Sequence, residues 1–377
     1  MKIVVSIDSF KGSLTSLQAG NAVKEAILKI NSDTEVIVKP LADGGEGTVD
    51  TLAEGSKAQI IELEVSGPLL KPVKAKYCIL NTSNTAVIEM ASAAGITLVS
   101  PDERNPLKTT TYGVGELIKD AINRGCRRFI VGIGGSATND GGIGMLTALG
   151  YEFLDKNDNP ISLGAIGLKD LNKIKTDNVI PALKECSFNI ACDVSNPLCG
   201  ENGCSAVFGP QKGATGEMVK NMDGWLLSYS KIAKTVSNKA DENYKGAGAA
   251  GGLGFAFLTF TNSTLKSGIQ IILDEIKLED EIKTADIVVT GEGRLDSQTV
   301  MGKAPIGVAK LAKKYGKRVI AFSGCVTEDA EICNENGIDA FFPILREITS
   351  LEEALDYKNA YKNLTATAYQ VFRLLIK

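Results

Sequence analysis

The sequence contains no histidine, an absence that limits the chemistry open to the protein. Histidine is the most common general base in enzymes. In its absence, any general base must be a carboxylate, a lysine, a tyrosine or a cysteine. Two nucleotide-binding motifs are also missing. No G-x-x-x-x-G-K-[S/T] segment occurs anywhere, and no G-x-G-x-x-G follows the first predicted strand, so a P-loop site and a dinucleotide site are both disfavoured.

Long apolar runs and paired cysteine motifs are absent as well. No uninterrupted apolar stretch approaches the roughly 20 residues that a membrane-spanning helix needs, and the first residues read as a strand rather than as a signal peptide. The eight cysteines are scattered without a C-x-x-C pair, and Cys192, Cys199 and Cys204 lack the fourth ligand of a zinc site. These features predict a soluble, cytoplasmic protein with reduced thiols.

The charge balance and the length exclude further classes. The 377 residues include 41 lysines and arginines against 45 aspartates and glutamates, a net charge of −4, so the expected partner is a small molecule rather than nucleic acid. A membrane is not an expected partner either. A chain of this length exceeds the usual size of one domain, which predicts a two-domain enzyme. Its oligomeric state is left open.

Strands and helices alternate at both ends of the chain. Residues 3–7 and 35–38 form apolar strand patterns around an amphipathic helix, and residues 286–290 and 318–322 repeat this arrangement around a second helix. Such alternation predicts a parallel sheet. A capping box at residues 350–353 predicts the start of one long terminal helix.

The middle of the chain follows a different pattern. Residues 73–79 alternate between apolar and polar side chains, as a strand with one wetter face does. We therefore expect a discontinuous parallel α/β domain of residues 1–62 and 284–377, interrupted by a mixed α/β domain of residues 63–283. The active site is expected in the cleft between these domains.

Polar loops follow several predicted strands, and ligands bind at the carboxyl edge of an open parallel sheet. After the first strand, Asp8 and Lys11 combine a carboxylate with an ammonium, which suits an anionic substrate or a phosphate; a structural salt bridge is the alternative. After the second strand, Asp43 and Glu46 lie among glycines and offer oxygen to a magnesium ion; a plain glycine turn is the alternative.

Two further loops carry candidate binding groups. Residues 134–142, GGSATNDGG, connect an apolar strand to a helix, so their backbone N–H groups are expected to cradle an anion. Residues 291–298, GEGRLDSQ, are predicted to form a loop after the strand at 286–290. In it, Arg294 is suited to clamp a carboxylate or stabilise a migrating phosphoryl group, and Asp296 adds a carboxylate.

Two segments of the middle region have both a functional and a structural interpretation. Asp193 ends an apolar run and is either a candidate base or a turn-forming residue. Residues 246–254, GAGAAGGLG, either bring the backbone close to a ligand or pack tightly at a helix start, and the packing interpretation is favoured slightly.

Six segments taken together resemble one family. In chain order they are SIDSFKGSLTS, LADGGEGT, GIGGSATNDGG, GPQKGAT, GAGAAGGLG and VVTGEGRLDSQT. They resemble the bacterial glycerate kinase family of glyoxylate and galactarate catabolism, over essentially the whole chain and without a departing motif. The resemblance implies a flavodoxin-like domain interrupted by a second domain, ATP and Mg²⁺ as cofactors, and D-glycerate as acceptor. It also implies 2-phosphoglycerate as product, because the unrelated kinases that make the 3-phosphate carry a P-loop.

Phosphoryl transfer needs mainly positioning and charge compensation from a protein, and the polar loops supply both. The nucleotide phosphates are expected at Gly134, Gly135, Ser136, Thr138 and Asp140. Magnesium is expected at Asp43 and Glu46.

The remaining candidates concern the acceptor. Lys11 and Arg294 are expected to bind the glycerate carboxylate or the migrating phosphoryl group, and Asp8, Asp193 and Asp296 compete for the role of base. Alternative functions are a kinase of a related hydroxy acid, a small-acid-binding sensor, and a dehydrogenase or epimerase, the last disfavoured by the missing dinucleotide motif.

Overall fold

A computed structural model describes residues 1–45, 47–56 and 58–376. Within these ranges no helix is both long and apolar enough to cross a membrane. In chain order the strands are β1 Lys2–Val5, β2 Glu35–Val38, β3 Gln59–Ser66, β4 Pro72–Leu80, β5 Thr85–Glu89, β6 Arg128–Gly132, β7 Glu152–Leu154, β8 Lys173–Lys175, β9 Ser187–Ala191, β10 Ser263–Lys266, β11 Ile287–Leu295, β12 Arg318–Val326 and β13 Ala340–Pro343.

Helices connect most of these strands. They are α1 Ser16–Leu28, α2 Thr48–Ser56, α3 Ala91–Ala94, α4 Tyr112–Asn123, α5 Ile143–Ala148, α6 Cys204–Phe208, α7 Gly216–Ala233, α8 Ala249–Phe260, α9 Gly268–Glu275, α10 Leu278–Thr284, α11 Ala304–Lys313, α12 Ile332–Glu335, α13 Leu351–Leu355 and α14 Tyr357–Leu375. Short 3₁₀ turns occur at Ile96–Leu98, Pro101–Glu103, Ala165–Asp170, Pro181–Glu185, Pro210–Lys212, Thr299–Met301 and Glu328–Glu331.

The chain forms two compact units. The first combines residues 1–55 with residues 269–377, and the second comprises residues 56–268. Both ends of the chain therefore build one unit, which confirms the predicted discontinuous arrangement. The residue numbers that the sequence suggests for the domain boundaries stay a prediction.

A five-stranded sheet forms the centre of the first unit. Its strand order is β13-β12-β11-β1-β2, and every neighbouring pair is parallel. Counted by their order along the chain within this unit, the strands run 2-1-3-4-5, which is the order of flavodoxin-like folds. The predicted fold class is confirmed. The strand order reverses between β1 and β11, so this is the switch point of the sheet.

Helices α1 and α14 pack together on this sheet. Val23 and Ile27 of α1 are fully buried in the same apolar cluster as Leu364 and Phe372 of α14. The α1 helix begins as the sequence predicts, with a capping box. The Thr15 hydroxyl accepts from the Gln18 N–H, and the Gln18 side chain accepts from the Thr15 N–H.

The C-terminal region contains two helices rather than the single long one predicted. Ser350 caps only the short α13. Asp356 then leaves the helical conformation, with φ −58° and ψ 128°, and its carboxylate accepts from the Asn359 N–H at 3.0 Å. This side chain gives α14 its own N-cap, so the prediction of one helix from residue 350 is wrong.

The second unit contains a six-stranded mixed sheet in the order β10-β9-β6-β5-β4-β3. Neighbours from β10 to β5 are parallel, whereas β4 pairs antiparallel with both β5 and β3. The β4 strand includes the alternating residues 73–79, and its buried side chains join the core of this unit. The mixed α/β character predicted for the inserted region is confirmed.

Candidate active site

The first group of candidate residues follows β1 and β11. The two strands are neighbours, with Val5 opposite Val289. Their pairing continues beyond β1, because the Asp8 N–H donates to the Gly291 carbonyl at 2.9 Å. In an open parallel sheet, the switch point is where a ligand crevice forms.

Asp8 is a buried carboxylate among other acidic groups. It is only 7% exposed. The Ser9 N–H donates to Oδ1 at 2.7 Å, and Oδ2 has no hydrogen-bond partner in the described part of the chain. Burial, and then the nearby charge of Asp43, raise the pKa of Asp8 to about 7. Glu292 adds to this effect, and the Ser9 hydrogen bond and the Lys11 charge oppose it. A carboxyl group with this pKa is suited to accept a proton at neutral pH.

Asp43 is positioned by its own turn. Its Oδ1 accepts from the Gly45 N–H at 2.8 Å, which leaves Oδ2 without a partner among the described residues. Glu46, the other predicted magnesium ligand, lies outside those residues. Within them, no group of three histidine, cysteine or acidic side chains is placed to hold a metal. Magnesium often takes only one or two protein carboxylates beside water and phosphate oxygens, so an all-oxygen set at Asp43 fits this ion.

The predicted loop at residues 291–298 is partly wrong, because β11 continues to Leu295. Its partner β12 extends with it, placing Glu292 opposite Ser323 and Arg294 opposite Cys325. The ladder includes Gly291, passes over Gly293 and resumes at Arg294 and Leu295. Because side chains alternate along a strand, Glu292 and Arg294 share one face of the sheet.

Asp296 is already engaged by neighbouring groups. Arg294 Nε lies 3.2 Å from one carboxylate oxygen, and Lys303 Nζ lies 3.8 Å from the other. The hydroxyl of Thr299 donates to Oε1 of Glu292 at 2.9 Å. Burial raises the pKa of Glu292. Of the two carboxylates, Asp296 is held in ion pairs at the end of β11, which makes it a weaker candidate base than Asp8.

Lys11 and Arg294 are the exposed cations of this region. The Arg294 side chain is 62% exposed, and Lys11 lies at the surface of the loop after β1. The backbone at Lys11 lies close to β11, because a Cβ at Gly293 would lie 3.5 Å from the backbone nitrogen of Lys11. Both positions leave a charged group accessible to an anionic ligand.

The loop after β6, in the second unit, presents unpaired backbone N–H groups. Gly134 and Gly135 are exposed, and a Cβ at Gly134 would meet nothing within 4 Å. In the described part of the chain, the N–H groups of Gly134, Gly135 and Ser136 donate to no protein acceptor, whereas the Ala137 N–H donates to the Ala94 carbonyl at 2.9 Å. Gly135 has a φ of +72°. Successive N–H groups around a left-handed residue form an anion-binding concavity.

A buried lysine, Lys212, donates hydrogen bonds to this loop from the protein interior. Lys212 is 2% exposed, and its ammonium donates to Ser136 Oγ at 2.7 Å and to the Thr138 carbonyl at 2.6 Å. Burial lowers the pKa of Lys212 to about 8, and the nearby Cys204 and Asp140 counteract part of that effect. The lysine is therefore still charged at neutral pH. Thr138, which is completely buried, has a hydroxyl without a partner among the described residues.

Asp140 lies beneath the loop and is completely buried. Its carboxylate accepts from the Thr111 N–H at 2.9 Å and from the hydroxyls of Thr110 and Thr111. It also accepts from the N–H groups of Gly142 and Gly144 at 3.1 and 3.3 Å. These bonds occupy amides at the start of α5. Asp140 thus orders the loop, and the N–H groups of the exposed Gly134 and Gly135 and of the buried Ser136 have no acceptor among the described residues.

The glycine-rich segment 246–254 packs against the same loop. The Gly141 N–H donates to the Gly251 carbonyl at 2.9 Å. A Cβ at Gly251, where φ is +65°, would lie 2.1 Å from the Thr138 carbonyl oxygen. Only glycine permits this approach. The favoured packing interpretation is confirmed, and the segment supports the loop of residues 134–142.

Asp193 is exposed after β9. Its Oδ1 accepts from the Gly268 N–H at 3.1 Å, at the start of α9. This bond agrees with the turn-forming interpretation and makes Asp193 a weaker candidate base than the buried Asp8.

Two residues of these sites were not singled out from the sequence. Glu292 lies in the GEGRLDSQ segment, but its burial beside Asp8 depends on the unexpected extension of β11. Lys212 was visible only as the lysine of GPQKGAT, a segment without strand or helix periodicity. Its hydrogen bond to Ser136 joins residues that are 76 positions apart, so the sequence did not predict this contact. The sequence feature that could have indicated a role for this residue is a single lysine among glycines.

The fold and these two groups of residues define an enzyme of the phosphoryl-transfer class that does not use a P-loop. One group offers a carboxyl with a pKa near neutrality beside exposed cations. The other offers free backbone N–H groups above a buried ammonium. Phosphoryl transfer depends mainly on positioning and on compensation of phosphate charge, and both groups are suited to these tasks.

Comparisons with known proteins identify the family. The sequence model of the glycerate kinase family matches residues 3–376. The chain is 48% identical over 375 residues to a glycerate kinase of Haemophilus influenzae, covering 100% of this chain and 99% of the relative. It is 44% identical to glycerate 2-kinase of Escherichia coli K12, covering 97% and 95%. The crystal structure of a protein assigned as glycerate kinase 2 of Salmonella typhimurium LT2 matches with a TM-score of 0.92 at 45% identity, covering 100% and 98%.

The chain therefore belongs to the glycerate kinase family. It is an enzyme, a kinase that acts on glycerate, as the sequence predicted.

Proposed function

We propose that the protein transfers the γ-phosphoryl group of ATP to the 2-hydroxyl of D-glycerate, giving 2-phosphoglycerate and ADP. The observation that carries this proposal is the row of N–H groups at Gly134, Gly135 and Ser136 that have no acceptor in the described part of the chain, an arrangement that suits the phosphates of a nucleotide. The missing P-loop motif and the name of the Escherichia coli relative, glycerate 2-kinase, support transfer to the 2-hydroxyl.

Asp8 is the proposed general base. Its Oδ2, which has no partner among the described residues, accepts the proton of the glycerate hydroxyl while that oxygen attacks the γ-phosphorus. The bond from the γ-phosphorus to the bridging oxygen breaks, and its electron pair leaves with ADP. Asp8 is preferred over Asp296, which is held in ion pairs, and over Asp193, which is exposed and accepts a backbone N–H.

Lys11 and Arg294 are the proposed ligands of negative charge on the acceptor or on the migrating phosphoryl group. Both are exposed beside the carboxylates of the switch point. Arg294 uses Nε for its ion pair with Asp296, an arrangement that orients the guanidinium. Charge compensation of this kind is the main demand of phosphoryl transfer.

Asp43, together with Glu46, would hold Mg²⁺. When bound, the ion supplies positive charge at the phosphate oxygens. The support for this assignment is the free Oδ2 of Asp43 and the oxygen-only character of the donor set. We further propose a cytoplasmic location, which the eight free cysteines support.

A coupled assay tests the proposed reaction. The purified protein is incubated with magnesium-ATP and D-glycerate, and enolase is then added without phosphoglycerate mutase. Enolase accepts 2-phosphoglycerate directly, so phosphoenolpyruvate is expected. Formation of phosphoenolpyruvate only after mutase is added would keep the kinase and overturn the position of transfer. Absence of ADP in both cases would overturn the reaction with this substrate.

A further inference from the structure

The ammonium of Lys212 is buried, and no counter-charge contacts it within the described residues. The residue ends the 3₁₀ turn Pro210–Lys212 and is 2% exposed. Its two hydrogen-bond acceptors, Ser136 Oγ and the Thr138 carbonyl, are both neutral. No carboxylate in the described part of the chain lies within ion-pair distance of it. A buried charge that lacks a partner is costly, so its presence calls for a functional explanation.

Asp140 does not fill the missing role. Its charge raises the pKa of Lys212. Its oxygens, however, accept hydrogen bonds from Thr110, Thr111, Gly142 and Gly144. The carboxylate is thus committed to ordering the start of α5. A positive charge below the loop remains uncompensated by direct contact.

The backbone fixes the lysine in this position. Gly213, which follows it, has a φ of +91°, and a Cβ there would lie 2.3 Å from the Arg104 carbonyl oxygen. The Nε atom of Arg104 is buried and has no partner among the described residues. Lys212 thus has two neutral hydrogen-bond acceptors but no counter-charge in the described part of the chain, and the Arg104 Nε has no acceptor there.

Ser136 connects the buried charge to the exposed side of the loop. Its hydroxyl accepts from Lys212, while its N–H belongs to the free row that includes Gly134 and Gly135. Moving the lysine would release both Ser136 and the Thr138 carbonyl. Two backbone bonds hold the loop as well, from the Ile96 N–H to the Gly135 carbonyl at 2.8 Å and from the Ala137 N–H to the Ala94 carbonyl at 2.9 Å, so the lysine fixes the Ser136 hydroxyl and the Thr138 carbonyl beside them.

We propose that Lys212 is the positioning residue of the nucleotide-phosphate site: its ammonium fixes Ser136 and Thr138 so that the N–H row points outward, and its uncompensated charge attracts the phosphates. This inference rests on the proposed function and names a residue of that site. Charge and geometry act together here, because the ammonium that binds the Ser136 hydroxyl and the Thr138 carbonyl also brings a positive charge close to the loop.

The test compares Lys212→Met and Lys212→Gln with the wild-type chain. The expected result is a roughly 10- to 100-fold increase in KM for ATP, as for the loss of a charge-assisted contact. The KM for D-glycerate should change less than threefold. Calorimetric titration with inorganic triphosphate should show a parallel loss of affinity. Thermal unfolding establishes that the variants are folded; Lys212→Gln keeps a donor for the Thr138 carbonyl if Lys212→Met does not fold.

Two further variants make the result specific. Lys239→Met removes an exposed lysine of the same unit, which donates to the Thr261 carbonyl at 3.2 Å, and should leave both KM values unchanged. Lys212→Arg keeps the charge and should restore the KM for ATP to within about fivefold of wild type.

The outcomes separate this inference from the proposed function. Folded neutral variants with an unchanged KM for ATP and unchanged triphosphate affinity would overturn the role of Lys212 while the kinase reaction stands. An equal rise in both KM values with a lowered unfolding temperature would show a merely structural role and would also overturn it. If the wild type binds triphosphate but does not turn over ATP with D-glycerate, the proposed function fails, and the titrations still test Lys212. If neither neutral variant folds, the Lys212→Arg variant provides the test. A folded Lys212→Arg whose KM for ATP is raised more than fivefold would overturn the positioning role of Lys212.

Discussion

Replacing Asp8 with asparagine should make the protein more stable and nearly inactive. The pKa of Asp8 in the folded protein is about 7, against an ordinary value of 3.8. Each pH unit of difference corresponds to about 1.36 kcal/mol. The ionised carboxylate therefore lowers the free energy of unfolding by up to about 4 kcal/mol. Asparagine keeps an acceptor for the Ser9 N–H and removes the charge.

The pH dependence gives this prediction its sign. Because the folded state binds the Asp8 proton more tightly, the contribution of this group to stability is largest near pH 4 and falls as pH rises to about 7. Asp8→Asn should thus unfold at a higher temperature than wild type at pH 8 and at a similar temperature near pH 4. Scanning calorimetry without magnesium or nucleotide measures this difference, and Asp33→Asn, at an exposed position, is the matched control.

The same variant should lose catalysis. Removing a general base lowers turnover by roughly 10² to 10⁴, which ADP release in the presence of D-glycerate measures. In the wild type, kcat/KM should rise as pH increases through about 7, because the base acts in its ionised form. An Asp8→Asn variant that is less stable than wild type at pH 8, or that keeps turnover within threefold, would refute the reasoning.

Two other substitutions test the supports of the site. Asp296→Asn should lower the free energy of unfolding by no more than about 1 kcal/mol, because the Arg294 side chain of its ion pair is 62% exposed and screened by solvent. It should also reduce turnover less than Asp8→Asn does; denaturant titration and ADP release measure the two effects. Gly251→Ala should destabilise by about 2–4 kcal/mol because φ is +65° and the new Cβ would meet the Thr138 carbonyl oxygen at 2.1 Å. Its control, Gly224→Ala, lies in a helix with open space around it and should gain about 0.5–1 kcal/mol in the same titration; equal effects at the two glycines would contradict the packing argument.

Much of the fold could be predicted because parallel sheets have local signals. Apolar runs in the sequence predicted β1, β2, β11 and β12. The segments that follow these runs contain the polar groups near Asp8. The end of β11 could not be predicted in this way. Its glycines suggest a loop, and only the pairing of Glu292 and Arg294 with β12 extends the strand. The break at Asp356 was missed because a capping aspartate inside a helical pattern looks like an ordinary polar residue.

The binding loop shows a second kind of limit. Its glycines were evident, but the partners of its polar atoms come from distant parts of the sequence. Asp140 accepts from Thr111, 29 residues away, and Ser136 accepts from Lys212, 76 residues away. Spacing along a single chain carries no information about such contacts. The loop was predictable as a candidate, whereas the buried charge beneath it required the structure.

The transfer of the γ-phosphoryl group of ATP to the 2-hydroxyl of D-glycerate is the central claim, and the proton-coupled ³¹P NMR spectrum of the product tests it directly. Phosphorus bonded through oxygen to C2 couples to a single proton, so the account predicts a new phosphomonoester doublet that grows as the γ-phosphate signal of ATP decreases. A triplet, from phosphorus beside the two protons of C3, would contradict the site of transfer, and a spectrum containing only ATP would contradict the reaction itself.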